Sequence, residues 1–246
     1  MARAESERGE LLLRERTPDR GGSPVLELRA NGVFVMDSHE HASEQALADA
    51  ALALVEHPRR VLIGGLGLGF TLDRVLGDRR VEQCVVVEIE PALVDWMRDA
   101  TIPHGPRLLA DSRVRPVVAD VAVALAEAAP ASYDVVLLDV DNGPGHLVHD
   151  TNADLYATPF LKAVHDRLAP GGAVALWSAA RSPELLDTLA EVFGQVDEIA
   201  YEVRLQDRDV HYWLYAGRRP PARPADQPDH EPDLEPDHEP TPHAAD

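Results

Sequence analysis

Hydrophobic positions along the chain follow two regimes that meet near residue 60. Before it, "GELLLRER" (9–16) and "PVLELRANGVFVMDS" (24–38) are short apolar runs rich in β-formers. The second run contains Asn31-Gly32, a pair that accepts positive φ and favours a two-residue hairpin. Together they predict a small β unit over roughly residues 9–37. "HASEQALADAALALVEH" (41–57) has the composition and apolar spacing of a helix.

From Arg60 the pattern alternates. Apolar runs of strand length, "RVLIGG", "QCVVVEIE", "VRPVVAD", "SYDVVLLDVD" and "GGAVALWSA", are separated by helical patterns. These are "FTLDRVLG", "PALVDWMRDA", "VAVALAEAA", "LYATPFLKAVHDRL" and "SPELLDTLAEVF". Near-continuous apolar strands of this kind are buried on both faces, which implies a mostly parallel sheet between helical layers. "DEIAYEVRL" and "DVHYWLYAG" close the set and are near enough in sequence to pair as an antiparallel hairpin. The expected class is α/β, with a mostly parallel seven-stranded sheet and a small N-terminal β unit. The expected division is 1–58 for the β unit and its linking helix, 59–217 for the α/β domain, and 218–246 for a tail. The tail has eight prolines and a repeated "DHEP". It lacks the apolar content to bury a core, so disorder is expected there.

Composition narrows the partners. The formal net charge is −20, of which −5 lies in Arg218–Asp246. So acidic a surface repels phosphate backbones, so nucleic acid is not an expected partner. No apolar run reaches membrane-spanning length, and the N-terminal segment lacks a signal-peptide core, so a cytoplasmic protein without membrane contact is expected. The single cysteine, Cys84, sits in an apolar strand-like run and reads as a small buried hydrophobe.

The candidate chemistry lies at the ends of the predicted strands. Gly65, Gly67 and Gly69 follow the first strand and precede a helix, as in loops whose backbone approaches a nucleotide or nucleoside. Glu88 ends the next strand, 19 residues beyond Gly69, where a carboxylate can accept both hydroxyls of a ribose. Asp120 ends the third strand and Asp139 the fourth. Ligands of open α/β sheets sit outside the carboxyl ends of the strands, so these four positions should converge on one crevice.

Read in order, "VLIGGLGLG", "VVVEIEPALVDW", "DSRVRPVVADVAVAL", "YDVVLLDVDNGPG" and "LYATPFLKAVHDRLAPGGAVAL" resemble the spermidine synthase branch of the class I S-adenosylmethionine-dependent methyltransferase fold, a Rossmann-like architecture. The resemblance runs from about Val25 to Trp177. It implies S-adenosylmethionine or its decarboxylated form as co-substrate, with no metal. It implies that Gly65, Gly67, Leu68 and Gly69 form the cofactor loop and that Glu88, beside Ile89, holds the ribose. Asp120 and Val121 would face the adenine, and Asp139 would take a proton from an attacking amine. The implied partner is a small amine or other nucleophilic acceptor, with a homodimer left open.

The departures concern the acceptor half. The family's loop acid is Leu68 here. The second acid of the proton-accepting strand end is Asn142, with Asp141 the nearest carboxylate, and the motif after the fifth strand becomes Trp177-Ser178-Ala179. The loop Asp141–Tyr156 is the expected lid, with Asp141, Asn142 and Tyr156 as acceptor contacts and His146, His149, Asp150 and Asn152 beside them. "SHEHASEQ" (38–45) supplies His39, His41, Glu40 and Glu44, in a register the sequence leaves open. Aminopropyl transfer is the leading expectation. Methyl transfer to a small molecule and non-catalytic binding of an adenosyl nucleoside are the alternatives.

Overall fold

The structure, a computed structural model, describes residues 1–17, 23–205 and 208–221. The predicted tail lies outside the described residues from 222 onward.

Four antiparallel strands form the N-terminal sheet in sequence order: β1 (Ala2–Ser6), β2 (Gly9–Arg16), β3 (Val25–Ala30) and β4 (Val33–Asp37). β1 extends the predicted unit at its N-terminal end. Ala30 pairs with Val33, so Asn31-Gly32 is the two-residue turn, with φ of 51° and 76°. Asn31 also joins this hairpin to its neighbour. Its Oδ1 accepts the Glu10 N–H at 2.9 Å, and its Nδ2 donates to the Arg8 carbonyl at 3.0 Å. After β4, Asp37 Oδ1 accepts the N–H groups of His39 and Glu40, both at 2.9 Å. That turn delivers the chain into α1 (Ala42–Leu54).

The second sheet has seven strands. β5 (Arg60–Gly64), β6 (Gln83–Glu88), β7 (Val114–Val118), β8 (Tyr133–Leu138) and β9 (Leu168–Ser178) are parallel. β10 (Val196–Leu205) and β11 (Arg208–Arg218) are antiparallel, and β11 pairs with β9. The order is β10-β11-β9-β8-β5-β6-β7. This is the α/β Rossmann-like arrangement expected from the alternating pattern. Strand order reverses between β5 and β8, and a crevice opens at such a switch point.

Alternation along the strands builds two cores. Val61, Ile63, Val135 and Leu137 face α1, α2 (Phe70–Gly77) and α3 (Pro91–Arg98), together with Leu11, Leu13 and Leu28 of the N-terminal sheet. Leu62, Val136, Leu138 and Leu176 face the opposite layer of α5 (Val121–Glu127), α6 (Thr158–Arg167) and α7 (Pro183–Phe193). A short helix, α4 (Gly105–Leu109), was not foreseen from the sequence. The segment Asp150–Tyr156 is a separate 3-10 turn rather than the start of α6. Pro159 lies in the first turn of α6, where its missing N–H removes no helical bond.

Candidate active site

The cleft opens at the carboxyl ends of β5, β6, β7 and β8. Gly65 and Gly67, Glu88 and Ile89, Asp120 and Val121, and Asp139, Asp141 and Asn142 all line it. The structure therefore brings most of the sequence-derived positions together.

The glycine loop is shaped by close approach. Gly65 has φ of 92°, and a Cβ there would overlap the Asp139 carbonyl oxygen. Gly67 has φ of 50°, and a Cβ there would lie 2.6 Å from Met36 Sδ. Met36 belongs to β4, and its sulfur accepts the Leu68 N–H at 3.3 Å. The N-terminal sheet thus rests directly on the loop and contributes an apolar wall of Leu11, Leu28, Val35 and Met36 to the cleft.

Glu88 is 5% exposed. Its Oε2 accepts the Leu66 N–H and its Oε1 accepts the Glu90 N–H, each at 2.8 Å. Burial raises its pKa from the ordinary carboxylate value, and these backbone donors oppose the rise. Each oxygen keeps a lone pair for a further donor. Asp120 caps α5, accepting the Ala122 N–H on Oδ1 at 2.7 Å, and is otherwise exposed on the cleft rim. Asp139 lies past the end of β8 and accepts the Thr71 hydroxyl at 2.9 Å. Burial raises its pKa, and the hydroxyl only partly offsets this.

Several expected contacts are corrected. Leu68 is fully buried and packs in the α2 layer, so it does not line the cleft. Successive residues of the turn point opposite ways, and this one points into the core. Gly69 begins α2 against Met97 and Leu108 and is likewise outside the cleft. Tyr156 is 8% exposed, packs in the α6 layer, and does not line the cleft. Its buried hydroxyl has no hydrogen-bond partner among the described residues. Burial and the nearby Asp141 charge both raise its pKa. Asp141 reaches the cleft, but its oxygens are committed. Oδ1 accepts from Asn142 N at 2.7 Å and Val148 N at 2.8 Å, and Oδ2 accepts from Asn152 Nδ2 at 2.6 Å. It ties together the loop after β8. His149 lines the cleft and His146 is exposed. His41 stacks on Phe70 at 4.2 Å instead of meeting Glu40 and Glu44, and the described residues contain no three-ligand metal cluster.

Several cleft residues were not assigned to the site from the sequence, among them Arg8, Trp177 and Glu44. Arg8, in the β1–β2 turn, lies 3.7 Å from Glu90 and donates to Asn152 Oδ1 at 3.4 Å, bridging the residues after β6 to the loop after β8. No local pattern marks it. Trp177, at the end of β9, lines the cleft with its buried indole N–H unpartnered among the described residues. Glu44 is 7% exposed on α1. It stands three and four residues before buried Leu47 and Ala48, so the apolar stripe itself would have placed this carboxylate inside. In all, six carboxylates and one guanidinium line the cleft, a field that favours a cationic ligand.

Fold and cleft together define a class I methyltransferase-like α/β protein. Residues 40–196 match the spermine/spermidine synthase domain, and the chain belongs to that family. It is 33% identical over 171 residues to polyamine aminopropyltransferase 2 of Pseudomonas aeruginosa, covering 65% of this chain and 47% of that protein. It is 34% identical over 125 residues to putrescine N-methyltransferase 3 of Nicotiana tabacum, covering 50% of this chain and 31% of that protein. The chain thus spans half or less of the length of these two relatives. The spermidine synthase of Thermotoga maritima shares the fold with a TM-score of 0.72 at 19% identity, over 89% of this chain and 72% of that one.

Proposed function

We propose that the chain is an aminopropyltransferase that binds decarboxylated S-adenosylmethionine in this cleft and transfers its aminopropyl group to a small amine. Glu88 accepts the two ribose hydroxyls, and Asp120 and Val121 border the adenine. The observation that carries the reading is the pairing, in one cleft, of a buried strand-end carboxylate held by two backbone N–H groups with Asp139, which no cation among the described residues neutralises.

The chemistry asks little of the protein beyond position and proton removal, because a sulfonium is a good leaving group. An amine is protonated at neutral pH and cannot attack. Asp139, with its raised pKa, is suited to take that proton. The freed nitrogen attacks the aminopropyl carbon bonded to sulfur. The C–S bond breaks, its electron pair passes to sulfur, and methylthioadenosine leaves.

The testing experiment incubates the protein with decarboxylated or intact S-adenosylmethionine and a panel of monoamines, diamines and polyamines. Methylthioadenosine formed only from the decarboxylated donor and only with an amine present is the expected result. S-adenosylhomocysteine formed from the intact donor would replace this reading with methyl transfer.

A further inference from the structure

We propose that Glu44 and Asp139 together form the seat of a primary ammonium group, with Glu44 the residue that selects ligands carrying one. The inference rests on the adenosyl-binding reading above and deepens it.

The six cleft carboxylates divide into two kinds. Four are matched. Glu88 accepts two backbone N–H groups, Asp120 caps a helix, Asp141 accepts three N–H groups, and Glu90 accepts from Ser6 beside the Arg8 guanidinium. Glu44 and Asp139 are not matched. The Ser43 hydroxyl donates to Glu44 Oε2 at 2.7 Å and the Thr71 hydroxyl to Asp139 Oδ2 at 2.9 Å. The donors to Glu88, Asp120 and Asp141 are neutral too, but Glu88 and Asp141 each accept several and Asp120 is exposed, whereas Glu44 and Asp139 each accept a single side-chain hydroxyl. Among the described residues, no arginine, lysine or histidine offsets either carboxylate, and the field of Asp139 is felt at Glu44.

Two carboxylates close together in a shielded cleft cannot both stay ionised without a counter-charge. Burial and this mutual repulsion raise the pKa of Glu44, and Glu40 adds to the rise. Tyr212, which feels the Glu44 charge, and Tyr156, which feels that of Asp139, are phenols that supply no positive charge. A cation bound in the cleft would relieve both the desolvation and the repulsion. A primary ammonium supplies three donors and the missing charge at once.

The wall beside the pair points to the same ligand. Trp177 lines the cleft at 9% exposure, its indole N–H unpartnered among the described residues. Its ring lies 4.7 Å from that of Tyr212, whose phenol feels the Glu44 charge. An aromatic wall beside paired carboxylates suits an alkylammonium, which binds both a charge and a π face.

The ammonium can come from the aminopropyl arm of the donor or from the acceptor amine, and titration calorimetry separates the two. The parent and Glu44→Gln are titrated with methylthioadenosine, which lacks an ammonium, with decarboxylated S-adenosylmethionine, and with 1,4-diaminobutane in saturating methylthioadenosine. Methylthioadenosine affinity within twofold of the parent is expected, with a tenfold or greater loss for an ammonium ligand. Loss confined to the decarboxylated donor assigns the seat to the donor arm, and loss confined to the diamine assigns it to the acceptor. If Glu44→Gln does not fold, Glu44→Asp, which withdraws the charge by one methylene, is expected to show a several-fold loss for the same ligand. All three affinities unchanged would overturn the inference. An equal loss for methylthioadenosine would overturn it too, by making Glu44 a scaffold residue. A parent that fails to bind methylthioadenosine would instead refute the adenosyl reading, and this inference with it.

Discussion

Glu88 Oε2 accepts the backbone N–H of Leu66 at 2.8 Å, so the carboxylate at the end of β6 fixes the glycine loop that follows β5. One side chain thereby shapes the loop and presents its remaining lone pairs to the cleft. Glu88→Ala should lower methylthioadenosine affinity by about 1.5–3 kcal/mol, the range for hydrogen bonds to a charged group. It should also lower thermal stability, because the Leu66 N–H loses its partner inside the protein. Calorimetry and thermal melting of the same sample check both. Loss of binding with an unchanged melting temperature would show that the loop does not depend on Glu88.

Gly67 and Met36 form a second contact between the loop and the N-terminal sheet. Gly67→Ala places a Cβ against Met36 Sδ at a positive φ, and should destabilise the protein by at least about 1 kcal/mol. Met36→Ala removes the obstructing sulfur, so the double variant should lose less than the sum of the two single variants. A double-mutant cycle by denaturant unfolding measures the difference. Strict additivity would mean that the sheet does not press on the loop.

The loop after β8 is tied together by Asp141. Asp141→Ala removes the acceptor of three N–H groups, at Asn142, Val148 and Asn152. Limited proteolysis should then cut between residues 141 and 152 faster than in the parent. Methylthioadenosine affinity should change by less than acceptor-dependent turnover. Unchanged cleavage would detach Asp141 from the loop's order.

The carboxylate pair gives a pH signature with a defined sign. The folded-state pKa values of Glu44 and Asp139 are raised above their unfolded values, so the folded protein binds protons more tightly than the unfolded one. Their contribution to stability is present at low pH and is lost as pH rises through the raised values. Glu44→Gln should therefore stabilise the empty protein at pH 8 and do so far less at pH 5. A gain of about 2–4 °C at pH 8 corresponds to roughly 1 kcal/mol in a domain of this size. Melting curves from pH 5 to 9 check it. A variant that melts in parallel with the parent at every pH would refute the pair.

Strand ends were legible because a strand buried on both faces writes a continuous apolar run, and the first polar residue after it marks the cleft edge. Glu88, Asp120 and Asp139 were all found this way. Leu68 was misplaced because glycines at alternate positions announce a tight loop without saying which way the residues between them point. Tyr156 was misplaced because the 3-10 turn Asp150–Tyr156 turns it into the α6 layer, and helical spacing carries no sign of that break. Arg8 and Met36 had no local signal. They reach the cleft only because a separate sheet docks over it, and docking is a tertiary fact. Glu44 was recoverable as a carboxylate on an apolar stripe, where helical periodicity makes a charge conspicuous.

In the function proposed here, Asp139 accepts the proton of an amine attacking an aminopropyl donor. The most direct measurement is the rate of methylthioadenosine release from decarboxylated S-adenosylmethionine and the best acceptor, in the parent and in Asp139→Asn, with methylthioadenosine affinity measured alongside. Methylthioadenosine affinity should stay within a few-fold and turnover should fall by roughly 10²–10⁴, the range for a lost general base. Undiminished methylthioadenosine release from Asp139→Asn would contradict it.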